Sequence, residues 1–211
     1  KFWQLGLAML VGVGATAATA QTTIYGIDFR YDNFYKSDTG DFVGNWQSPA
    51  TNSDALYALD LDAAGTTMWA IENSALSYGT LDLVTGVYTP LGTVAGITGA
   101  TGITCDVNDN WYLCEYNGTT TNSELYYGDV TTGTFSWVGT IASGDIMIDI
   151  SIDSQGNLYA HSISTDALWS VNTTTGVGTM VGATGYNANY AQGMDFDWNG
   201  NTLYAPIYTG G

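Results

Sequence analysis

The chain has 211 residues, with 20 carboxylates against three basic side chains, 27 glycines, three prolines and two cysteines, for a formal net charge of −17. Its 45% apolar and 13% aromatic residues can close a core despite that charge, which excludes a disordered chain. The only cations are Lys1, Arg30 and Lys36, so nothing from Ser37 onward can neutralise phosphate, and nucleic acid is excluded as a partner. An acidic surface of this kind instead keeps the chain soluble and attracts Ca²⁺ or other cations.

Lys1 precedes an apolar run from Phe2 to Gly14, which passes into Ala15-Thr16-Ala17-Ala18-Thr19-Ala20. The run is too short to span a bilayer comfortably, and Ala18-Thr19-Ala20 offers small-x-small cleavage chemistry. Positions 1–20 therefore read as a secretory signal peptide cut before Gln21, with one domain over 21–211. This predicts a secreted protein, extracellular or, in a bacterium, periplasmic or at the cell surface, with no membrane attachment after cleavage. Export also makes a disulfide between Cys105 and Cys114 chemically accessible. If Asp109-Asn110 is a two-residue hairpin turn, residue 105 falls opposite 114, and the pair reads as a structural staple.

After position 20 a unit recurs: alternating apolar residues, an Asp, a Gly/Asn turn, then an aromatic within a second apolar run. Ile24-Tyr25-Gly26-Ile27-Asp28 keeps only the second run. Fuller copies follow at Leu59–Ala70, Ile103–Leu113, Ile150–Ala160 and Met194–Ala205. The aromatics Tyr25, Trp69, Tyr112, Tyr159 and Tyr204 lie 44, 43, 47 and 45 residues apart. A second landmark, Thr-Gly, ends at Gly40, Gly86, Gly133 and Gly176. Gly92, Gly139 and Gly182 follow the last three of these by six residues. Third and fourth apolar runs flank each Thr-Gly. Four short strands of period two in every repeat predict an all-β fold, a β-propeller of four-stranded antiparallel blades. Asp62, Asp106, Asp153 and Asp197 are expected to accept backbone amides two or three residues on and fix the first hairpin of each blade. Trp69, Tyr112, Tyr159 and Tyr204 are expected to pack between blades.

Complete blades are predicted at about 55–93, 101–140 and 146–182, with a partial blade at each end. The expected result is a truncated ring, incomplete at the C-terminus, forming an open arc with unpaired edges.

The run Ile152-Asp-Ser-Gln-Gly-Asn-Leu-Tyr-Ala160, followed by Ala167–Gly176 and Thr179–Gly182, resembles the repeat of secreted bacterial β-propellers of the NHL-like, gluconolactonase-like and quinoprotein-like families. The resemblance covers about 22–208 and implies the fold. It implies no particular activity, because this architecture hosts binding, lyase, lactonase and oxidoreductase functions alike.

Candidate chemistry is sparse. His161, the only histidine, aligns with Ile71, Cys114 and Pro206 on the second strand of each blade, a scaffold register. Acid pairs such as 60/62, 106/109, 145/149 and 195/197 leave Ca²⁺ binding open. Asp106-Val-Asn-Asp109-Asn110 resembles the start of a Ca²⁺ loop without its glycine or terminal glutamate. Asn117-Gly-Thr119 and Asn172-Thr-Thr174 fit the glycosylation sequon. The leading expectation is a binding module whose Trp46, Tyr186 and Tyr190 stack on a polysaccharide or contact an extracellular protein. The competing expectation is a Ca²⁺-dependent hydrolase or lactonase with inward carboxylates converging on the propeller axis.

Overall fold

The structure is a computed structural model that describes residues 7–12, 23–28, 33–37, 47–51, 56–190 and 192–209, with only backbone for 7–12 and 47–51. All of its elements are strands. Blade 1 holds β1 (Leu7–Gly12), β2 (Thr23–Asp28), β3 (Asn33–Ser37) and β4 (Gln47–Thr51). Blade 2 holds β5 (Leu56–Leu61), β6 (Met68–Glu72), β7 (Ser77–Leu81) and β8 (Tyr88–Thr93). Blade 3 holds β9 (Ala100–Cys105), β10 (Trp111–Asn117), β11 (Asn122–Asp129) and β12 (Thr134–Ser143). Blade 4 holds β13 (Met147–Ile152), β14 (Leu158–Ser162), β15 (Ala167–Val171) and β16 (Gly178–Ala183). Blade 5 has two strands, β17 (Asp195–Asp197) and β18 (Thr202–Tyr204). Each sheet is an antiparallel meander in chain order, so the chain is a partial β-propeller.

Two features differ from the expectation. Leu7–Gly12, inside the segment read as a leader, is the inner strand of blade 1, paired from Leu7↔Asp28 to Gly12↔Thr23. It brings the four-stranded sheets to four, where the repeats predict three complete blades and two partial ones. The inner strands β1, β5, β9, β13 and β17 also follow one another around an axis, and β1 lies beside both β5 and β17. The described strands thus return on themselves instead of ending as an open arc, and blade 5 is the partial blade.

The recurring Asp holds the first hairpin of each blade, as expected, but over a longer span. Asp106 accepts from the amides of Asn108 (2.8 Å) and Asn110 (3.0 Å), two and four residues on. Asp153 repeats this with Gln155 (2.9 Å) and Asn157 (2.8 Å). Asp62 reaches Thr66 (2.6 Å) and Thr67 (3.1 Å), and Asp197 accepts from Asn199 (2.9 Å). At Asp62, Asp106 and Asp153 partial burial opposes ionisation, but the amides and side chains donating to each carboxylate outweigh it and hold it below the usual range.

The longer turn also separates the cysteines. Asp106 N–H donates to Asn110 O, and Asp109 sits at φ 58°, so Trp111 rather than Cys114 pairs with Cys105, while Cys114 pairs with Gly102. The two thiols then lie on opposite faces of blade 3. Cys105 Sγ donates to Leu61 O of blade 2 (3.1 Å), and Cys114 Sγ points to Met147 O of blade 4 (3.9 Å). Both are free and buried, so the expected disulfide is absent from this fold. Burial pushes the Cys114 thiol up to about 12, so it is no reactive centre.

Packing occurs between blades, because each sheet is thin and has two apolar faces. Tyr25, Ile27 and Phe34 of blade 1 pack on Leu56, Leu61 and Met68 of blade 2. Ile71 and Tyr78 meet Ile103, Trp111 and Leu113, and Cys114, Leu125 and Ile141 meet Ile150, Ile152 and Leu158. A fully buried Leu or Ile in such a slab contributes about 1.5–3 kcal/mol. The repeat aromatics join these slabs: Trp69 packs on the core between blades 2 and 3, Tyr112 on that between blades 3 and 4, and the Tyr159 ring lies 5.5 Å from Phe196 of blade 5. Tyr204 is half-buried. The glycine landmarks have a steric cause. Gly176 (φ 74°) of one blade abuts Gly139 of the blade before, and a Cβ on Gly139 would lie 2.0 Å from Thr175 O.

Candidate functional site

Because every sheet is a meander and the inner strands run alike, the blade connections fall at two ends. One end, the turn end, carries the hairpins after each inner strand and those joining the third and fourth strands. The other, the mouth end, carries the segments that lead into each inner strand and those joining the second and third strands.

The two ends differ in charge. The turn end holds Asp62, Asp82, Asp106, Asp109, Asp129, Asp153 and Asp197; of these Asp82, Asp109 and Asp129 are exposed. At the mouth end three carboxylates are turned inward, while Glu124, opposite Glu115, and Asp166 are half-buried. Glu72 and Glu115 are 3% and 1% exposed, and Asp145 is 5% exposed. Glu72 accepts the amides of Ser74 and Ala75. Glu115 takes Thr98 N–H (2.7 Å) and Tyr126 O–H (2.8 Å), and Asp145 takes the hydroxyls of Ser162 and Thr165. Asp166, half-buried, accepts Ala188 N–H at 2.7 Å and so holds the segment leading into blade 5.

At the mouth a cavity of about 290 Å³ opens on the axis. Aligning the repeats on Asp62, Asp106, Asp153 and Asp197 shows how it is built. The residues five positions earlier are Tyr57, Thr101, Ile148 and Gln192, and all four line it. Its remaining wall comes from Leu56, Gly99, Ala100 and Ile146 at the upstream ends of inner strands, from Asn73 just after β6, and from Tyr116 at the downstream end of β10. The scaffold positions keep one residue type from blade to blade, whereas this position changes from aromatic to hydroxyl to aliphatic to amide.

The amides of the wall and its Thr101 hydroxyl are already engaged. Asn73 Nδ2 donates to Ala100 O (2.8 Å) while Ala100 N–H donates to Asn73 Oδ1 (2.9 Å). Gln192 Nε2 donates to Asn189 O (2.8 Å) and Tyr208 O (2.9 Å), and its Oε1 accepts Tyr208 N–H (3.1 Å). Thr101 O–H donates to Cys114 O (3.3 Å).

Of the expected binding residues, Tyr186 and Tyr190 stand at the mouth end and are 61% and 73% exposed. Tyr190 has φ 61°, a left-handed conformation that costs a non-glycine residue roughly 1–2 kcal/mol, and its ring lies 6.2 Å from that of Tyr208. Through Tyr208 and Gln192 this exposed ring is connected to the cavity wall. Trp46 lies outside the described residues.

The carboxylates of the expected Ca²⁺ pair both have hydrogen-bond partners within the protein. Asp106 is occupied by its own turn, and Asp109 Oδ1 accepts Ala63 N–H of blade 2 at 2.7 Å. Among the described residues no three His, Cys, Asp or Glu side chains converge to hold a metal ion, so the axial metal centre required by a Ca²⁺-dependent hydrolase or lactonase is not formed by them. The inward carboxylates instead bind neighbouring blades together. Asp60 accepts Cys105 N–H (3.0 Å), Asp149 accepts Met194 N–H (2.7 Å), and Asp195 accepts Ser151 O–H (2.7 Å). Burial raises the Asp60 carboxyl well above the usual range, helped by the charge of Asp195, and burial does the same to Asp149. His161, cross-strand neighbour of Asp149, is 2% exposed with neither ring nitrogen hydrogen-bonded, and burial lowers its basicity. The residues that sequence reasoning missed are the four at the variable repeat position. Only their divergence within an otherwise regular unit could have marked them.

No family model matches the chain, and no curated protein does. Solved structures do. Virginiamycin B lyase from Staphylococcus aureus is 15% identical at a TM-score of 0.57, covering 98% of this chain and 65% of its own. A nidogen/laminin complex is similar at 13% identity and TM-score 0.63, covering 95% of this chain and 75% of the other. A gluconolactonase-family protein aligns at 11% identity and TM-score 0.59 over 97% of this chain and 77% of its own. The chain therefore spans less than two-thirds of the lyase's length. These neighbours are β-propellers, and at these identities the chain shares their fold alone, without being singled out for one family.

Proposed function

We propose that this chain is an exported binding module that engages an extracellular protein or polysaccharide through its mouth end. The observation that carries the reading is the contrast between the ends: among the described residues the mouth presents exposed tyrosines and no exposed carboxylate, while the turn end spends its repeated geometry on scaffold and carries exposed Asp82, Asp109 and Asp129. Tyrosine suits such a surface because it offers large contact area at low entropic cost, with a polar tip. The nidogen/laminin neighbour is a propeller crystallised with a protein partner, which favours a protein ligand as the first to test. Export rests on the leader-like composition of the segment before Gln21, whose cleavage would remove β1 and leave blade 1 without its inner strand.

The test is a glycan array together with capture of extracellular proteins on the immobilised chain, each repeated with the Tyr186→Ala/Tyr190→Ala double variant. Loss of two central tyrosines is expected to weaken binding by roughly 30-fold, about 2 kcal/mol. Absence of any saturable partner, or equal binding by the double variant, would remove the reading.

A further inference from the structure

The mouth cavity is chemically unlike both the rest of the molecule and the tyrosine-bearing rim beside it. Among the described residues its wall contains no Lys, Arg, Asp or Glu, in a chain with 20 carboxylates. Carbon dominates it, through Leu56, Ile146 and Ile148 and the rings of Tyr57 and Tyr116. Its amides, on Asn73 and Gln192, and the Thr101 hydroxyl already bond backbone, and the remaining polar atoms of its side chains are the phenol hydroxyls of Tyr57 and Tyr116.

These facts discriminate among ligand classes. An anion would find no cation in the wall and would be repelled by a net charge of −17. A cation would find no free carboxylate among the described residues nearby, because Glu72 and Glu115 are buried and bonded to amides or hydroxyls. A sugar ring would bury several hydroxyls against carbon, each costing roughly 1–3 kcal/mol when left unpaired. What fits is uncharged and largely apolar. A volume of about 290 Å³ is at the small end of ligand sites, suited to a one- or two-ring molecule rather than a chain.

We propose that the axial cavity is a binding site for a small, uncharged aromatic molecule, held between Tyr57, Tyr116 and Ile148 and admitted past Thr101 and Gln192. The proposal rests on the mouth being the recognition end, but concerns a different ligand from the macromolecule that meets Tyr186 and Tyr190. One end would then carry two separate recognition elements, an apolar slot at the axis and an aromatic rim outside it.

The experiment is titration of the full chain, followed by amide NMR shifts, with indole and p-cresol against benzoate, benzylamine and glucose, and with a capped tryptophan tripeptide as a separate arm. Indole is expected to saturate with a Kd near or below about 1 mM and to bind at least roughly tenfold tighter than benzoate or glucose. The shifts should centre on residues 57, 101, 116 and 148. Thr101→Asp, which puts a carboxylate in the wall, is expected to weaken indole by roughly tenfold and to reverse its order with benzylamine. Ile148→Phe fills the slot and gives a second check should Thr101→Asp misfold. No saturation by either aromatic at about 10 mM, equal binding of glucose or benzoate, an unchanged ligand order in folded Thr101→Asp, or saturation by the tripeptide alone would each overturn the proposal. None of these outcomes bears on macromolecular binding lost in the Tyr186/Tyr190 variant, so the slot and the rim fail separately.

Discussion

The two ends of this propeller solve opposite problems with the same strands. At the turn end, Asp62, Asp106, Asp153 and Asp197 occupy one repeat position and perform one task, so sequence identity there reports geometry. At the mouth end, Tyr57, Thr101, Ile148 and Gln192 also occupy one repeat position but share no chemistry, and together they shape a cavity. Repetition marks where the fold imposes a requirement. Divergence at a fixed position marks where the fold imposes none and a ligand can.

That contrast can be broken by substitution. The largest effect is expected from Gly102→Ala on an inner strand, where a Cβ would lie 2.3 Å from Asp149 Oδ1 and 2.7 Å from Ile150 N. Backbone cannot yield there, and denaturant unfolding should show a loss of about 3 kcal/mol. Next comes Asp153→Ala at the turn end. It strands the amides of Gln155 and Asn157, and is expected to cost about 1–2 kcal/mol while leaving ligand binding intact. Because the Asp153 carboxyl is held below its unfolded value, its contribution is present above about pH 4 and is lost as pH falls through the lower folded value.

His161→Leu should act in the opposite sense, stabilising by about 1 kcal/mol, since the imidazole is buried with no partner for either nitrogen. Its pH signature is the sharper check. The folded state depresses His161, so its contribution is intact above about pH 6.5 and lost as pH falls below that. Asp60 and Asp149 are raised, so their contribution is fullest below about pH 4 and is lost as pH rises through their folded values. Melting from pH 7 to 5 should therefore show His161→Leu gaining stability relative to the parent; parallel curves would contradict the assignment. The smallest effect on stability, under about 0.5 kcal/mol, is expected for exposed Tyr190→Ala, which should nonetheless reduce binding. A substitution at one end that moved both properties equally would blur the division.

Blade architecture was legible in the sequence because a hairpin that must close with an Asp and a small turn residue leaves the same letters every 43 to 47 positions. The pairing of Leu7–Gly12 with β2 was not, since a signal-peptide core and an inner strand are both short apolar runs and composition cannot separate them. The cysteine pairing failed on a turn count: with the turn spanning Asp106 to Asn110, residues 105 and 114 face different neighbours. Exposed Tyr186 and Tyr190 could be picked out by residue type, but the cavity could not, because its members lie in four different repeats and carry no motif.

The central claim is that recognition belongs to the mouth end. Hydrogen-exchange footprinting of the chain with its captured partner tests it most directly. Protection should appear at 56–57, 73, 116 and 184–190, with the turns at 62–67, 106–110 and 153–157 unchanged. Protection confined to those turns would contradict it.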